Sequence, residues 1–152
     1  MGTIQNIVKK SPGIIRRIYY NTVPFAKRYG RVYEDTLSFL NALTQWNQEE
    51  KEWYQLTEMK LLLHHCYCNV PYYRQIFIDN RWTPEDFQTL DDLKEFPVLT
   101  KSTIMSHRDD LIADTMTHLR RYPITTSGSS GDKLEFFVTD DVFKMEAAFN
   151  MR

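Results

Sequence analysis

No apolar run in these 152 residues approaches the roughly 18 needed to span a bilayer. The nearest start, Ile14-Ile15, is cut short by Arg16-Arg17, so a secretory hydrophobic segment is missing too. Met1-Gly2 could open a myristoylation signal, but Asn6 stands where Ser or Thr is required. Cysteine is scarce. Cys66 and Cys68 lie two apart in a helical stretch, point in different directions and supply no disulfide framework. Together these absences lead to the expectation of a cytoplasmic chain. Metal sites are also poorly served. His64 and Cys68 share a helix face at i, i+4, but two ligands are too few for closed zinc coordination, and His107 and His118 lie far downstream. Ordinary helix residues account for these positions.

Two common phosphate-binding patterns are missing as well. A P-loop needs four residues between its glycines and then Lys-Ser/Thr, whereas only Ser129 and Ser130 separate Gly128 from Gly131. The dinucleotide pattern G-x-G-x-x-G does not occur.

What is present is enough for a core. Apolar residues make up 42% of the chain and aromatics 14%, a composition that argues against disorder. The net charge is −1, but residues 1–33 carry seven cations and no acid, which leaves the remainder at −8. Within this basic arm Ile14, Ile15, Ile18 and Tyr19 can share one helical face while Arg16 and Arg17 project elsewhere. The arm has two readings. It could attach to an anionic membrane surface, or pack on the body of the protein with its cations solvated. A single short basic helix binds lipid weakly, which favours packing.

Farther along, Tyr33, Leu37, Leu40, Leu43 and Trp46 recur at three or four residues and predict a helix with one buried face. Asn47 with Glu50 three residues later forms a capping-box pattern for a helix to about Cys68, with a stripe of Trp53, Leu56, Lys60, Leu63 and Tyr67 and Met59 alongside. Asn69 ends it, and Pro71 opens another that runs to Asn80. Thr83-Pro84-Glu85-Asp86, Thr89-Leu90-Asp91-Asp92 and Thr100-Lys101-Ser102-Thr103 each read as helix starts. Near the end, Thr139 or Asp140 caps a helix carrying Val142, Phe143, Met145 and Phe149, expected to be still running at Arg152.

Between two stretches of strand character, Tyr122-Pro123-Ile124 and Phe136-Phe137-Val138, lies the run Thr125-Thr126-Ser127-Gly128-Ser129-Ser130-Gly131-Asp132-Lys133. Glycine allows backbone N–H groups to converge in an anion-binding nest, and hydroxyls add donors without negative charge. A polyphosphate would suit that surface. A Ser/Gly loop between strands also fits a plain hairpin turn.

Thr126 through Gly131 match, position for position, the T-S-G-[ST]-[ST]-G-x-P-[KT] signature of adenylate-forming enzymes; Lys133 replaces its proline. Two further runs agree. Leu61-Leu62-Leu63-His64-His65-Cys66-Tyr67-Cys68-Asn69-Val70-Pro71-Tyr72-Tyr73-Arg74 resembles the L-L-x-[HY]-A-Y-x-N-V-P-Y-Y-R segment of phenylacetate–CoA ligase-like proteins. Leu90-x-x-Leu93-x-x-Phe96-Pro97-Val98-Leu99-Thr100-Lys101 resembles their L-x-x-L-x-x-[LF]-P-[VIF]-L-T-K run. Pro12 and Arg28-Tyr29-Gly30 are similar to the branch associated with capsular polysaccharide biosynthesis.

The resemblance implies an α/β fold in which a helical N-terminal region leads into the first strands of a large adenylate-forming domain, here incomplete. Residues 1–45 would be a basic arm and first helix, 46–120 a helical segment, and 121–152 a strand–loop–strand–helix unit. It implies ATP-dependent activation of a small-molecule carboxylate to an acyl-adenylate, followed by transfer to coenzyme A or another acceptor. Thr126, Ser127, Gly128, Ser129, Ser130 and Gly131 would hold the ATP phosphates, Lys133 would assist, and Mg²⁺ would share the charge. The Tyr-Gly-x-Thr-Glu segment, the ribose-binding Asp and the catalytic lysine of such enzymes are not in the chain. No catalytic residue is therefore assigned here, and the chain alone is expected to be inactive. The remainder of the enzyme, in the same or a separate chain, would be its partner, and no nucleic acid is expected. The alternative is a non-catalytic remnant or binding module that attaches to a membrane surface or protein through the basic arm.

Overall fold

A computed structural model describes residues 3–126 and 133–151. These residues form helices and one two-stranded sheet, compatible with an α/β fragment. They divide into two compact units, Met1–Gln45 with Val138–Arg152, and Trp46–Phe137.

The first unit holds α1 (Thr3–Lys10), α2 (Gly13–Thr22), α3 (Phe25–Tyr29), α4 (Arg31–Leu43) and a late helix, Asp140–Asn150. Gly30 separates α3 from α4 at φ 74°, ψ −162°, a region open essentially to glycine alone. A Cβ added there would meet nothing, so the requirement is conformational. Tyr29 can then stack on Tyr33 with ring centroids 5.6 Å apart. Tyr33 and Leu40, seven residues apart on one face, are buried together with Ala148 of the late helix, and Leu37, Leu43 and Ala147 pack around them.

Three expectations change here. First, α4 ends at Leu43, so Trp46 is not part of its stripe. Asn47 must be extended to cap the next helix (ψ 178°), which takes the chain out of helical geometry, and the Trp46 ring packs edge-on against Tyr54. Second, the late helix, expected to be still running at Arg152, stops short of it; it buries Ala148 and partly buries Ala147, while Val142, Phe143, Met145 and Phe149 are exposed. Tyr33 and Leu40 already fill the seam, so a small-residue face lets the helices approach. That helix ends at Asn150, before Arg152. Third, α2 buries none of its residues, so the packing expected of the basic arm is absent from α2, whereas Val8 of α1 is buried.

The second unit opens with α5 (Gln48–Asn69), whose start is closed by a reciprocal capping box. Glu50 N–H donates to Asn47 Oδ1 at 2.9 Å, and Asn47 N–H to Glu50 Oε2 at 2.8 Å. Met59 and Leu63 are buried with Phe77 and Phe87, and Leu56, Tyr67, Trp82 and Phe96 pack around them. Phe77 is 0% exposed at the centre, edge-on to Tyr67 (5.3 Å) and Phe96 (5.3 Å). Trp53 stays outside at 68% exposure. At ~100° per residue it falls about 75° from the middle of the buried face.

The turn from α5 into α6 (Pro71–Asn80) is made by Val70, which Pro71 holds in an extended conformation (φ −114°, ψ 108°). Arg74 ties this corner. Its Nε donates to Tyr67 O at 3.2 Å, and its Nη2 donates to Cys68 O at 2.5 Å and Asp114 Oδ2 at 3.2 Å. A cation on the last carbonyls of α5 complements the helix dipole. Arg81 then ends α6 in the left-handed region, with Trp82 N–H bonded back to Phe77 O at 2.9 Å.

The helix expected after Thr83 is a single 3₁₀ turn, Pro84–Asp86. Phe87 follows in extended conformation and enters the core, which stops propagation. Leu90–Glu95 is a second 3₁₀ segment. Asp92 accepts from the N–H groups of Thr89 (2.7 Å) and Gln88 (2.8 Å), bonds that hold its carboxyl below its ordinary pKa. Helix α7 (Lys101–Ser106) starts at Thr100, whose hydroxyl accepts from Thr103 N–H. A third 3₁₀ segment, Asp114–His118, precedes strands β1 (Tyr122–Thr125) and β2 (Glu135–Val138); the late helix is α8.

Candidate functional site

Strands β1 and β2 are paired neighbours. Beyond β1, Thr126 N–H donates to Leu134 O at 2.9 Å, and Leu134 N–H donates to Thr126 Oγ1 at 3.2 Å. This reciprocal clasp ties Thr126 to Leu134 beyond the ends of the two strands. Of the seven residues expected to hold phosphate, Thr126 and Lys133 are described, both exposed. Ser127, Gly128, Ser129, Ser130 and Gly131 lie outside the described residues, as does Asp132. Thr126 spends its amide on the clasp and accepts there with its hydroxyl oxygen. The hydroxyl proton is not used in that bond, so Thr126 can both close the neck and donate into the loop.

A group of arginines that the sequence reading did not single out adjoins the hairpin. Alternation along β2 puts Glu135 and Phe137 on one face. Arg108 Nη2 bonds Glu135 Oε1 at 2.5 Å, and its guanidinium carbon lies 5.6 Å from the Phe137 ring centroid. Arg121 lies 4.9 Å from that same centroid, and Arg120 lies 5.1 Å from the Tyr122 ring. Cation–π contacts at such partly exposed sites contribute about 0.5–1 kcal/mol each, enough to hold the guanidinium groups against the sheet. Arg120-Arg121 immediately before β1 was a readable signal. The Arg108–Glu135 pair spans 27 residues and no local pattern announces it.

The helical cysteine and histidine cluster has ordinary geometry. Cys68 Sγ lies 3.8 Å from His64 Nδ1, and Asn69 Nδ2 lies 3.1 Å from His65 Nδ1. Burial pushes the Cys66 thiol pKa up, away from the thiolate needed for nucleophilic or metal chemistry. Among the described residues, no group of three or more His, Cys, Asp or Glu side chains could hold a metal ion. No described helix is long and apolar enough to cross a membrane.

Two curated proteins share part of this sequence. Phenylacetate-coenzyme A ligase of Escherichia coli K12 is 35% identical over 83 residues, which is 55% of this chain and 18% of the relative. The enzyme of the same name from Aromatoleum evansii is 34% identical over 65 residues, 43% of this chain and 15% of the relative. The chain is similar, in part, to phenylacetate–coenzyme A ligases. The matched segments span less than a fifth of either relative's length. No known family profile matches the chain, and no solved structure does. The two relatives support a ligase-like relationship and leave the capsular polysaccharide branch unaddressed.

The N-V-P-Y-Y-R-like run has a clear physical role in this fold. Val70 and Pro71 make the corner, Tyr72 N–H bonds Asp110 O at 3.0 Å, Tyr73 lies 6.3 Å from the Phe96 ring, and Arg74 closes α5. Tyr29-Gly30 serves as the joint between α3 and α4.

Proposed function

We propose that this chain is the segment of an acyl-activating ligase that supplies the phosphate-binding loop. In the complete enzyme a small-molecule carboxylate would be joined to the α-phosphate of ATP, and the acyl group would pass to coenzyme A or another acceptor. The observation that carries the reading is the clasped neck at Thr126 and Leu134, beneath a run matching the adenylate-forming signature. The partial identity to two phenylacetate-coenzyme A ligases supports it.

The parts divide as follows. Backbone N–H groups at Gly128 and Gly131, with the hydroxyls of Thr126, Ser127, Ser129 and Ser130, would donate to the β- and γ-phosphates. Such preorganised donors favour charge building on departing pyrophosphate. Lys133 would add a point charge, and Asp132 would oppose it. Mg²⁺ would share the charge of the phosphates. The adenine site, a metal-binding Glu and a catalytic lysine would come from the remainder of the enzyme, in the same chain or a separate one. The similarity of Pro12 and Arg28-Tyr29-Gly30 favours the capsular polysaccharide branch.

ATP–pyrophosphate exchange tests the division of labour. The chain alone gives no exchange with any carboxylic acid. Exchange is expected when it is joined to a polypeptide carrying the Tyr-Gly-x-Thr-Glu segment and lysine, and to disappear again with Gly128→Val. Exchange by the chain alone, or exchange in the joined enzyme that ignores Gly128→Val, would contradict the assignment.

A further inference from the structure

We propose that α1 and α2 form a docking surface for an anionic phospholipid bilayer. The inference rests on exposure and charge together, and is independent of the ligase reading. Ile14, Ile15 and Ile18 fall within an arc of about 100° on α2. They are 72%, 48% and 58% exposed, and Ile7 of α1 is 61% exposed. One exposed isoleucine is unremarkable on a protein surface. Four within twelve residues, on two consecutive short helices, are a local excess of apolar surface that water does not favour.

The charge along residues 1–33 has one sign. Lys9 and Lys10 close α1, Arg16 and Arg17 lie off the isoleucine face of α2, and residues 1–33 contain no acid. A nucleic acid would engage the cations but leave the isoleucines without a partner. An apolar protein groove would take the isoleucines but has no need of Lys10, Arg16 and Arg17 beside them. A bilayer interface takes both, with isoleucines at the acyl boundary and cations at the lipid phosphates. Pro12, extended at ψ 151°, separates the two helices so that each can lie flat. At ten residues, α2 is about 15 Å long, so the attachment is reversible rather than permanent.

Co-sedimentation of the full chain with vesicles tests this. Binding is expected to phosphatidylcholine vesicles containing phosphatidylserine, not to pure phosphatidylcholine, and to fall as salt rises from about 0.05 to 0.5 M. Arg16→Gln and Arg17→Gln should each weaken it about fivefold. The double change Ile14→Ser with Ile18→Ser should weaken it tenfold or more at an unchanged melting temperature. These side chains are solvent-exposed, so the variant folds and its binding is interpretable. Equal binding to both vesicle types, or no binding to either, would overturn the proposal. Binding that follows the cations, ignores the isoleucines and is matched by equal affinity for a duplex oligonucleotide would overturn it in favour of nucleic acid.

Discussion

Helices α2 and α5 both carry an apolar stripe at helical spacing, yet they stand in opposite surroundings. The α5 stripe of Leu56, Met59, Leu63 and Tyr67 meets Phe77, Phe87 and Phe96, with Met59 and Leu63 buried and Leu56 and Tyr67 partly so. The α2 stripe of Ile14, Ile15 and Ile18 is open to it. Periodicity records that a face is apolar; it does not record what covers it. The flanking charge separates the two cases. Acids and a capping box start α5, as a structural helix of the body should have, whereas α2 has cations alone.

The largest effect expected from breaking the covered face is at Phe77. Phe77→Ala removes the ring touched by Tyr67, Phe87 and Phe96, and should cost about 3–5 kcal/mol in denaturant unfolding. Next comes Gly30→Ala, which forces a side chain into a glycine-only conformation. It should cost about 1–3 kcal/mol, although the added Cβ meets nothing. The open face gives the contrast. Ile14→Ser with Ile18→Ser should leave stability within about 0.5 kcal/mol, and a loss comparable to that of Phe77→Ala would show that the face is covered.

The smallest effect sharpens the account of local capping. Asp92 has a folded pKa depressed by the Thr89 and Gln88 N–H groups. Its contribution is therefore present above the unfolded value, near 3.9, and is lost as pH falls through the folded one. The stability difference between the parent and Asp92→Asn should shrink between about pH 5 and pH 2, as followed by thermal melts. A difference that stays constant through that window would remove the cap from the explanation.

Signals confined to a few residues were legible in the sequence. The Asn47–Glu50 box, Pro71 at the start of α6 and the Thr100 cap each need only neighbours along the chain. Features that depend on a distant partner were not. The buried residue of α8 is Ala148, with Ala147 packed beside it, because Tyr33 and Leu40 occupy the other side of the seam, and no pattern along the chain announces that. The helix expected after Thr83 stopped after one turn because Phe87 enters a core built from α5 and α6. At the hairpin, both strands followed from composition. The Arg108–Glu135 pair did not, since its members lie 27 residues apart.

The phosphate-loop reading is tested most directly by ATP affinity and melting temperature, measured together on Gly128→Val, Ser129→Ala, Ser130→Ala and Asp132→Asn. The account predicts that Gly128→Val abolishes binding and that each serine change weakens it by about 1.5–3 kcal/mol where the hydroxyl bonds phosphate directly. Asp132→Asn tightens binding by removing a negative charge beside the polyphosphate. All four variants should melt close to the parent, because the substitutions lie beyond the Thr126–Leu134 clasp. Unchanged affinity across the set, with Gly128→Val lowering the melting temperature instead, would make the run a plain hairpin turn and contradict the account.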